Sequence, residues 1–324
     1  MTEDPHMSTA DGPMIAAAAA RIGEGRLVAF PTETVYGLGA DATDPAAVAR
    51  LYETKGRPQF NPLIAHLPDA GRALDLIEVL PALRSLAEAA WPGPLTVVGP
   101  VRPGCPVCDL ARAGLATLAV RVPDHPVAHA LLEAVGRPVA APSANLSGHV
   151  SATTAEHVRH DFPSEADVMV LDGGAAVRGL ESTIVAPDGD GLIVLREGAL
   201  TREAIAEIIG FEVAVRDRAA GNARPDVPGQ LASHYAPAAR VLLNCRRPPA
   251  DAALLAFGPV VPPHRGPSEN LSTAGDLSVA AQNLFAALRR LDASGARTIA
   301  VMPVPDIGLG AAINDRLRRA AAPR

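Results

Sequence analysis

Residues 27–41 read Leu27-Val28-Ala29-Phe30-Pro31-Thr32-Glu33-Thr34-Val35-Tyr36-Gly37-Leu38-Gly39-Ala40-Asp41. The apolar run at the start of this segment predicts a short buried strand. The residues after it carry hydroxyl groups and two glycines, which allow hydrogen bonds and a close approach of the backbone to a ligand. An ordinary polar turn after a strand explains the same residues at least as well. By itself, the segment predicts a strand followed either by a binding loop or by a turn.

Outward from this segment, the chain up to about residue 215 alternates short aliphatic runs with helical patterns. Asp44 before Pro45 marks a helix start, because an aspartate cap followed by proline at the first helical position is favoured. Some predicted strands are separated by helices and others follow each other directly, which is typical of a mixed sheet in an α/β or α+β domain. The predicted strands are residues 27–30, 63–67, 95–98, 117–122, 139–141, 168–171, 182–185 and 192–195.

The chain divides into four parts. Residues 1–12 are polar and predict a disordered tail, and residues 13–215 form the predicted first domain. Residues 216–239 contain three prolines and two glycines without sustained periodicity, which predicts a linker. Residues 240–324 predict a second, smaller α/β unit, with strands at 241–243, 253–257 and 298–302 and helices at 277–291 and 307–319.

The composition excludes several classes of protein. The chain is 48% apolar and 20% charged, so it can bury a sizeable core and is not an intrinsically disordered chain. Its net charge of −6 argues against a protein that coats the nucleic-acid backbone, because such proteins have a basic excess. No apolar run approaches the roughly 20 residues of a membrane-spanning helix, and no secretory signal is visible. A cytoplasmic location is therefore expected.

The three cysteines predict neither a disulfide framework nor a metal centre. Cys105 and Cys108 form a C-x-x-C pair, but a structural zinc ion needs four ligands and Cys245 lies far along the chain. A thioredoxin-like dithiol would open a helix directly after a strand, whereas this pair lies in a loop rich in proline and glycine. Two ordinary thiols in a surface loop are the favoured interpretation, and no metal-binding side chains are identified.

Lys55 is the only lysine among 29 basic residues. It stands two positions before Arg57 in the segment KGRPQFNPL (residues 55–63), after a predicted helix and before a predicted strand. An ammonium beside a guanidinium suits phosphate oxygens. Cations at a helix C-terminus are also favoured by the helix dipole alone. His66, on the next strand, occupies a position where a satisfied core histidine is commoner than a ligand.

More polar side chains stand at the ends of predicted strands, where ligands gather in α/β sheets. The chain has no P-loop, no dinucleotide fingerprint and no nucleophile elbow. Together these groups predict a site that binds a polyanion and a small polar molecule and that stabilises charge instead of forming a covalent intermediate. The groups are Arg121, Ser143, Asn145, Ser151, Ser182, Thr183 and Arg196.

Seven segments, in this order and spacing, resemble the YrdC-like domain of the threonylcarbamoyl-AMP synthase family: PTETVYGLG, KGRPQFNPL, WPGPLT, RVPDHP, APSANLSG, GLESTIV and LREG. The later segments PGQLASHYAP, NLFAALRRLD and GLGAAINDRLRRA resemble the two-domain form of that family. The resemblance runs from about residue 15 to residue 322. It implies a twisted mixed sheet with a concave cationic pocket, a small Rossmann-like second domain, and a linker that lies over the pocket.

The resemblance also implies a reaction, in which L-threonine, bicarbonate and ATP give threonylcarbamoyl-AMP and pyrophosphate. Mg²⁺ is the implied cofactor, entering with ATP. The product is expected to pass to the tRNA threonylcarbamoyl transferase proteins, which modify adenosine 37 of tRNA. Neither a membrane nor strong direct binding to nucleic acid is expected.

Carried onto matching positions, the resemblance implies a role for individual residues. Lys55 and Arg57 are the implied catalytic residues, which neutralise phosphate charge, and Arg121 holds the carboxylate of threonine. The residues implied around L-threonine are Thr34, His66, Arg121, Ala141 and Ser182. The residues implied around ATP are Lys55, Arg57, Asn61, Thr117, Ser143, Ser151, Arg196 and Tyr235.

Three positions depart from the family pattern. Gln230 stands where the linker usually has methionine, and Ala152 stands where proline usually follows the serine. Glu197 replaces a proline and places a negative charge next to Arg196, an implied phosphate ligand. None of the three changes removes an implied ligand side chain.

Two alternative functions come from other classes. A non-catalytic RNA-binding module would also use a cationic pocket, but the acidic net charge and the few aromatic residues for base stacking disfavour it. A related domain serves carbamoyl transfer in hydrogenase maturation. That enzyme is a longer chain with zinc-binding cysteines and an acylphosphatase-like region, and this sequence contains neither.

Overall fold

The computed structural model describes residues 11–216, 227–229 and 233–323. Within them are nine helices and fourteen strands. The helices are α1 (Gly12–Gly23), α2 (Pro45–Lys55), α3 (Ala70–Leu74), α4 (Pro81–Ala90), α5 (Pro126–Val135), α6 (Ala155–Asp161), α7 (Arg202–Ile209), α8 (Leu277–Ala293) and α9 (Leu309–Ala321). The strands are β1 (Leu27–Phe30), β2 (Gly37–Asp41), β3 (Ile64–His66), β4 (Leu95–Pro100), β5 (Thr117–Arg121), β6 (Val139–Ala140), β7 (Val168–Val170), β8 (Thr183–Asp188), β9 (Gly191–Arg196), β10 (Ala214–Val215), β11 (Arg240–Leu242), β12 (Ala253–Ala256), β13 (Ser268–Asn270) and β14 (Thr298–Val301).

The first ten strands form one mixed sheet in the order β10-β9-β8-β4-β5-β3-β6-β2-β1-β7. β3 and β5 are parallel neighbours, and β6 runs antiparallel to β3 on its other side. The predicted mixed α/β sheet is therefore confirmed. Because β3 and β5 point the same way, their last residues, His66 and Arg121, lie side by side in the ladder.

The glycine-containing end of the opening segment is a strand, which corrects the prediction of a loop or turn there. Residues 37–41 form β2, antiparallel to β1. A Cβ atom at Gly39 would lie 2.9 Å from the ring of Phe30 and 3.0 Å from Val139. Glycine at this position therefore reflects tight packing between neighbouring strands. Only residues 31–36 remain as a loop at the strand ends.

The two faces of this sheet have different coverings. One face packs under α2, α3, α4, α6 and α7 and holds the main core, to which β3 and β5 contribute Ala65 and Val120. Because successive side chains on a strand point to opposite faces, His66 and Arg121 share the other face with Ile64 and Ala119. That second face is covered at one end by α1 and α5. The central part of the second face is where polar side chains gather.

Strands β11–β14 form a separate four-stranded sheet in which every pairing is parallel. The predicted second α/β unit is confirmed, with β13 as a strand that the sequence pattern did not predict. Helices α8 and α9 pack on one face of this sheet. The same apolar cluster includes Val35, Val150 and Leu180 of the first domain, so these two helices lie between the four-stranded sheet and the first domain.

Polar contacts reinforce that apolar interface. Arg289 on α8 donates hydrogen bonds to both carboxylate oxygens of Asp161, at 2.9 and 2.7 Å, and to the backbone carbonyls of Val150 and Ser151. Both members of the pair are largely buried, which makes the bidentate geometry stronger than a surface ion pair. The relative placement of the two units is thus set by apolar packing and by charge.

The first helix begins within the predicted N-terminal tail. Residues 1–10 of the predicted tail lie outside the described residues. Asp11 and Gly12 belong to the first helix and not to a tail, because the Asp11 side chain accepts a hydrogen bond from the backbone N–H of Met14 and caps α1. Among the described residues, no helix is long and apolar enough to cross a membrane.

We predict that Gly179→Ala disrupts the contact between the two units. A Cβ atom at Gly179 would lie 2.5 Å from backbone atoms of Ala281 and Gln282 on α8. Gly174 has a similar positive φ but open space around it, so Gly174→Ala carries only the backbone strain of about 1–2 kcal/mol. Steric overlap should lower the free energy of unfolding of Gly179→Ala by about a further 1–3 kcal/mol. Thermal or chemical denaturation measures this difference. Equal destabilisation of the two variants would contradict the proposed packing.

Candidate active site

A cavity lies at the carboxyl ends of β3 and β5. It lies on the sheet face opposite the main core, and residues 228–229 and 234–235 form part of its wall. Four of the residues predicted around threonine line it: His66, Arg121, Ala141 and Ser182. Four of those predicted around ATP line it as well: Arg57, Ser143, Arg196 and Tyr235.

Arg121 is held at the end of β5 by two groups from the loop after β1. Its Nη2 lies 2.7 Å from a carboxylate oxygen of Glu33 and donates to the hydroxyl of Thr34 at 2.8 Å. The other Glu33 oxygen accepts a hydrogen bond from the backbone N–H of Asp124. The Nε of Arg121 is buried without a hydrogen-bond partner among the described residues. A buried donor of this kind favours an acceptor supplied by a ligand.

His66 lies beside Arg121 at the end of β3. Its Nδ1 is 3.1 Å from the carbonyl oxygen of Ile64. Burial, and then the positive charge of Arg121, lower the pKa of His66 to about 3. His66 is therefore neutral at physiological pH and offers the cavity hydrogen-bonding groups without charge.

Ser182 and Arg196 form another part of the cavity wall. The hydroxyls of Ser182 and Thr96 are hydrogen-bonded, 2.7 Å apart. The guanidinium of Arg196 donates to the carbonyl and the hydroxyl of Ser182 and to the carbonyl of Pro228. Burial lowers the pKa of Arg196 to about 10. Arg196 thus joins the end of β9 to the described part of the linker.

Lys55 and Arg57 lie on the side of the cavity formed by the end of α2. The ammonium of Lys55 donates to the carbonyl of Ser143 at 2.6 Å and to the carbonyl of Asn145. Arg57 donates to the carbonyls of Asn61 and Pro62. Both cations are almost fully buried. Burial lowers the pKa of Lys55 well below its ordinary value, with Arg57 as the next cause, and burial lowers the pKa of Arg57 to about 10.

These cations are solvated by carbonyl dipoles and not by carboxylates. Among the described residues, none of Lys55, Arg57 and Arg196 forms an ion pair with Asp or Glu. Backbone carbonyls offset only part of the free energy lost when a full charge leaves water. The side-chain amide of Asn61 is also buried, and neither its oxygen nor its nitrogen is hydrogen-bonded to a described residue. The arrangement therefore favours a polyanionic ligand with acceptor atoms.

Other predicted residues lie away from the cavity lining. Thr117 is on the same face of β5 but lines a separate depression with Pro187 and Arg216. Ser151 is fully buried, and its hydroxyl donates to Glu181 at 2.7 Å. Thr34 reaches the site through its hydrogen bond with Arg121. Lys55 reaches it through the loop that carries Ser143.

The three departures from the family pattern have different surroundings. Ala152 is buried, and its carbonyl accepts the backbone N–H of Tyr36, a bond that proline at 152 would also permit. The carboxylate of Glu197 lies 2.8 Å from Nε of Arg202, which offsets the negative charge that it brings next to Arg196. Gln230 lies outside the described residues.

Four charged or aromatic groups at the site were not among the predicted residues. Glu33 and Glu181 lie within the segments PTETVYGLG and GLESTIV, so their positions were visible but their partners were not. His234 lines the cavity next to Tyr235, with their ring centres 4.0 Å apart. Arg316, on α9, had no sequence signal that distinguished it from its neighbouring arginines.

Both parts of the chain match family models. Residues 20–198 match the model of the Sua5, YciO and YrdC family, described as "Telomere recombination". Residues 200–322 match the model described as "Threonylcarbamoyl-AMP synthase, C-terminal domain".

Two relatives match this chain over nearly its whole length. The chain is 39% identical to the threonylcarbamoyl-AMP synthase of Bacillus subtilis, over 98% of this chain and 95% of that protein. It is 38% identical to the threonylcarbamoyl-AMP synthase of Pyrococcus abyssi, over 95% of this chain and 94% of that protein. The crystal structure of P. abyssi Sua5 in complex with L-threonine superposes with a TM-score of 0.86 at 37% identity, covering 96% and 95% of the two chains. The chain therefore belongs to the threonylcarbamoyl-AMP synthase family, in the form with a second, C-terminal domain.

Proposed function

We propose that this chain converts L-threonine, bicarbonate and ATP into threonylcarbamoyl-AMP and pyrophosphate. The observation that carries this proposal is the group of three arginines around one cavity, Arg57, Arg121 and Arg196, each at most 7% exposed. Among the described residues, Arg57 and Arg196 have only carbonyl and hydroxyl hydrogen-bond partners, so a triphosphate would supply the missing negative charge. Family membership and the threonine-bound relative support the same reaction.

Threonine would bind at the ends of β3 and β5. Arg121 has its Nη2 engaged by Glu33 and Thr34, and its Nε has no hydrogen-bond partner in the part of the chain that the structure describes, so a carboxylate would complete the guanidinium's hydrogen bonds. The neutral imidazole of His66 and the hydroxyl of Ser182 would bind the amine and the side-chain hydroxyl of threonine. A neutral His66 also avoids repelling the amine next to Arg121.

The chemistry needs charge stabilisation and no protein nucleophile. The threonine amine and bicarbonate condense to a carbamate with release of water, and a carbamate oxygen attacks the α-phosphorus of ATP. The bond from that phosphorus to the bridging oxygen breaks, and pyrophosphate leaves with the negative charge. Arg57, with Lys55 behind the Ser143 loop, would stabilise that charge.

Mg²⁺ would enter with ATP as part of the substrate. The cavity lining among the described residues contains one carboxylate, Glu181, whose two oxygens accept from Ser151 and Arg316. The residues present thus suit a cation held by the phosphates of ATP. Bound there, Mg²⁺ would supply further charge neutralisation on the phosphates.

The product is a mixed anhydride that water hydrolyses. The cavity wall includes Pro228, Gly229, His234 and Tyr235, which would exclude water from it. A transferase that carries the threonylcarbamoyl group to tRNA adenosine 37 would consume the product. The acidic net charge supports a hand-off between proteins over tight binding of tRNA by this chain.

Release of pyrophosphate with each substrate omitted in turn tests the reaction. The complete mixture of ATP, Mg²⁺, L-threonine and bicarbonate should release pyrophosphate and form threonylcarbamoyl-AMP, detected by mass spectrometry. Omission of threonine or of bicarbonate should stop both signals. Pyrophosphate release that is indifferent to both omissions would overturn the proposal.

Substitutions at Lys55 and Arg121 should separate the two halves of the site. Arg121→Ala should raise the KM for threonine roughly 10- to 150-fold, because it removes a charged hydrogen-bonding partner worth about 1.5–3 kcal/mol. Lys55→Arg should lower kcat about ten-fold or more, since a guanidinium does not fit between the carbonyls of Ser143 and Asn145. Arg290→Gln, which breaks an exposed pair within the second unit, is the control. Full activity of Lys55→Arg would show that a lysine is not required.

The depressed pKa of His66 predicts a loss of stability in acid. The unfolded chain protonates its histidines near pH 6.5, whereas folded His66 stays neutral down to about pH 3, so stability falls as the pH falls below 6.5. At pH 5 this histidine should lower the free energy of unfolding by about 2 kcal/mol relative to pH 7. Chemical denaturation of wild type and His66→Gln at both pH values measures it. The prediction fails if the variant loses as much stability as the wild type.

A further inference from the structure

Arg316 is a fully buried arginine on α9 of the second unit, with 0% of its surface exposed. Arginine is almost never fully buried unless it is paired, because its charge loses the solvation of water. Its two neighbouring arginines on the same helix, Arg318 and Arg319, are exposed or half-buried. The burial of Arg316 therefore points to a specific partner across the interface.

That partner is Glu181 of the first domain. Nε of Arg316 donates to one carboxylate oxygen of Glu181 at 2.9 Å, and Ser151 donates to the other oxygen at 2.7 Å. Arg316 also donates to Asp315 at 2.7 Å, and its guanidinium carbon lies 5.3 Å from the centre of the Tyr235 ring. One arginine of the second unit thus contacts a first-domain carboxylate and a linker aromatic ring.

Both of these contacts belong to the wall of the cavity. Glu181 and Tyr235 line it, and Glu181 is the residue before Ser182, whose carbonyl holds Arg196. An unpaired carboxylate at position 181 would repel the triphosphate that the other side chains attract. Paired with Arg316, Glu181 instead orients Ser151 and leaves the cavity with a net positive charge. The ring of Tyr235 is stacked on Phe285 of α8, with their ring centres 5.4 Å apart. The second unit therefore contacts Tyr235 through both Arg316 and Phe285.

We propose that Arg316 is a positioning residue for ATP, which neutralises Glu181 and holds Tyr235 against the cavity. The nucleotide site is then complete only when the second unit is docked on the first. This inference rests on the proposed function, because it takes ATP as the polyanion in the cavity. It gives the second unit a direct part in nucleotide binding.

Titration of MgATP into the full-length protein, without threonine or bicarbonate, tests this role by calorimetry. Arg316→Met leaves Glu181 buried and unpaired and should weaken MgATP binding at least ten-fold. Glu181→Gln combined with Arg316→Met removes both charges and should restore binding to within about three-fold of wild type. Arg318→Met, an exposed position on the same helix, is the matched control and should change binding less than two-fold.

The double variant distinguishes positioning from a purely structural role. If Arg316 only stabilised the fold, Arg316→Met would lower the melting temperature and leave the Kd for MgATP unchanged, which would overturn the inference. If Arg316→Met does not fold, the double variant decides: near-normal binding supports the inference, and a loss of more than ten-fold overturns it. Failure of the proposed function would appear in the wild type, as no MgATP binding or no product. Failure of this inference appears only in the variants.

Discussion

The site depends on positive charges that are buried at one end of the large sheet. Lys55, Arg57 and Arg196 are buried, and the described residues surround them with carbonyl oxygens instead of carboxylates. Each buried charge without an ionic partner is unfavourable, which shows in the lowered pKa values. The folding free energy of the large apolar core must offset this penalty. A bound polyanion would offset part of this penalty, because it would supply the negative charge that the folded chain lacks around these cations.

The backbone around the cavity supplies the carbonyl oxygens that contact these buried cations. The loop after β6 presents the carbonyls of Ser143 and Asn145 to the ammonium of Lys55, and the turn at Asn61 and Pro62 presents carbonyls to Arg57. Proline-containing loops suit this purpose, since they fix the direction of the chain and their carbonyls need partners outside regular structure. The cations therefore stay in place before any ligand arrives, which lowers the reorganisation needed for binding and for charge stabilisation.

The second unit is part of the same electrostatic arrangement. Its helices α8 and α9 share an apolar core with the first domain, and within that interface Arg316 meets Glu181. Without that pairing, the acidic residue next to Ser182 would oppose the cationic wall. A two-domain chain can thus use packing between domains to set the charge of a site that lies mostly in one of them.

Much of the fold was predictable from local patterns. The aliphatic runs predicted β1, β4, β5, β8 and β9, because buried strands are short and apolar and their ends are marked by polar residues and turns. The strand at β2 was not predictable, since glycine usually marks a turn. There the missing side chain leaves room for Phe30 and Val139, and Val139 comes from a distant part of the chain.

Some features of the candidate site were likewise predictable from the sequence, and others were not. Local patterns predicted Arg57 after a helix and Arg121 and Arg196 at strand ends, because element ends and ordered motifs are local features. Three features became visible only in the folded chain: the Lys55 ammonium contacts carbonyls, Thr117 lies in a separate depression, and Glu181 pairs with Arg316. The reason is physical: these contacts depend on burial and on approach in space between distant segments. The local periodicity of apolar residues predicts neither which polar groups are buried together nor which distant segments meet.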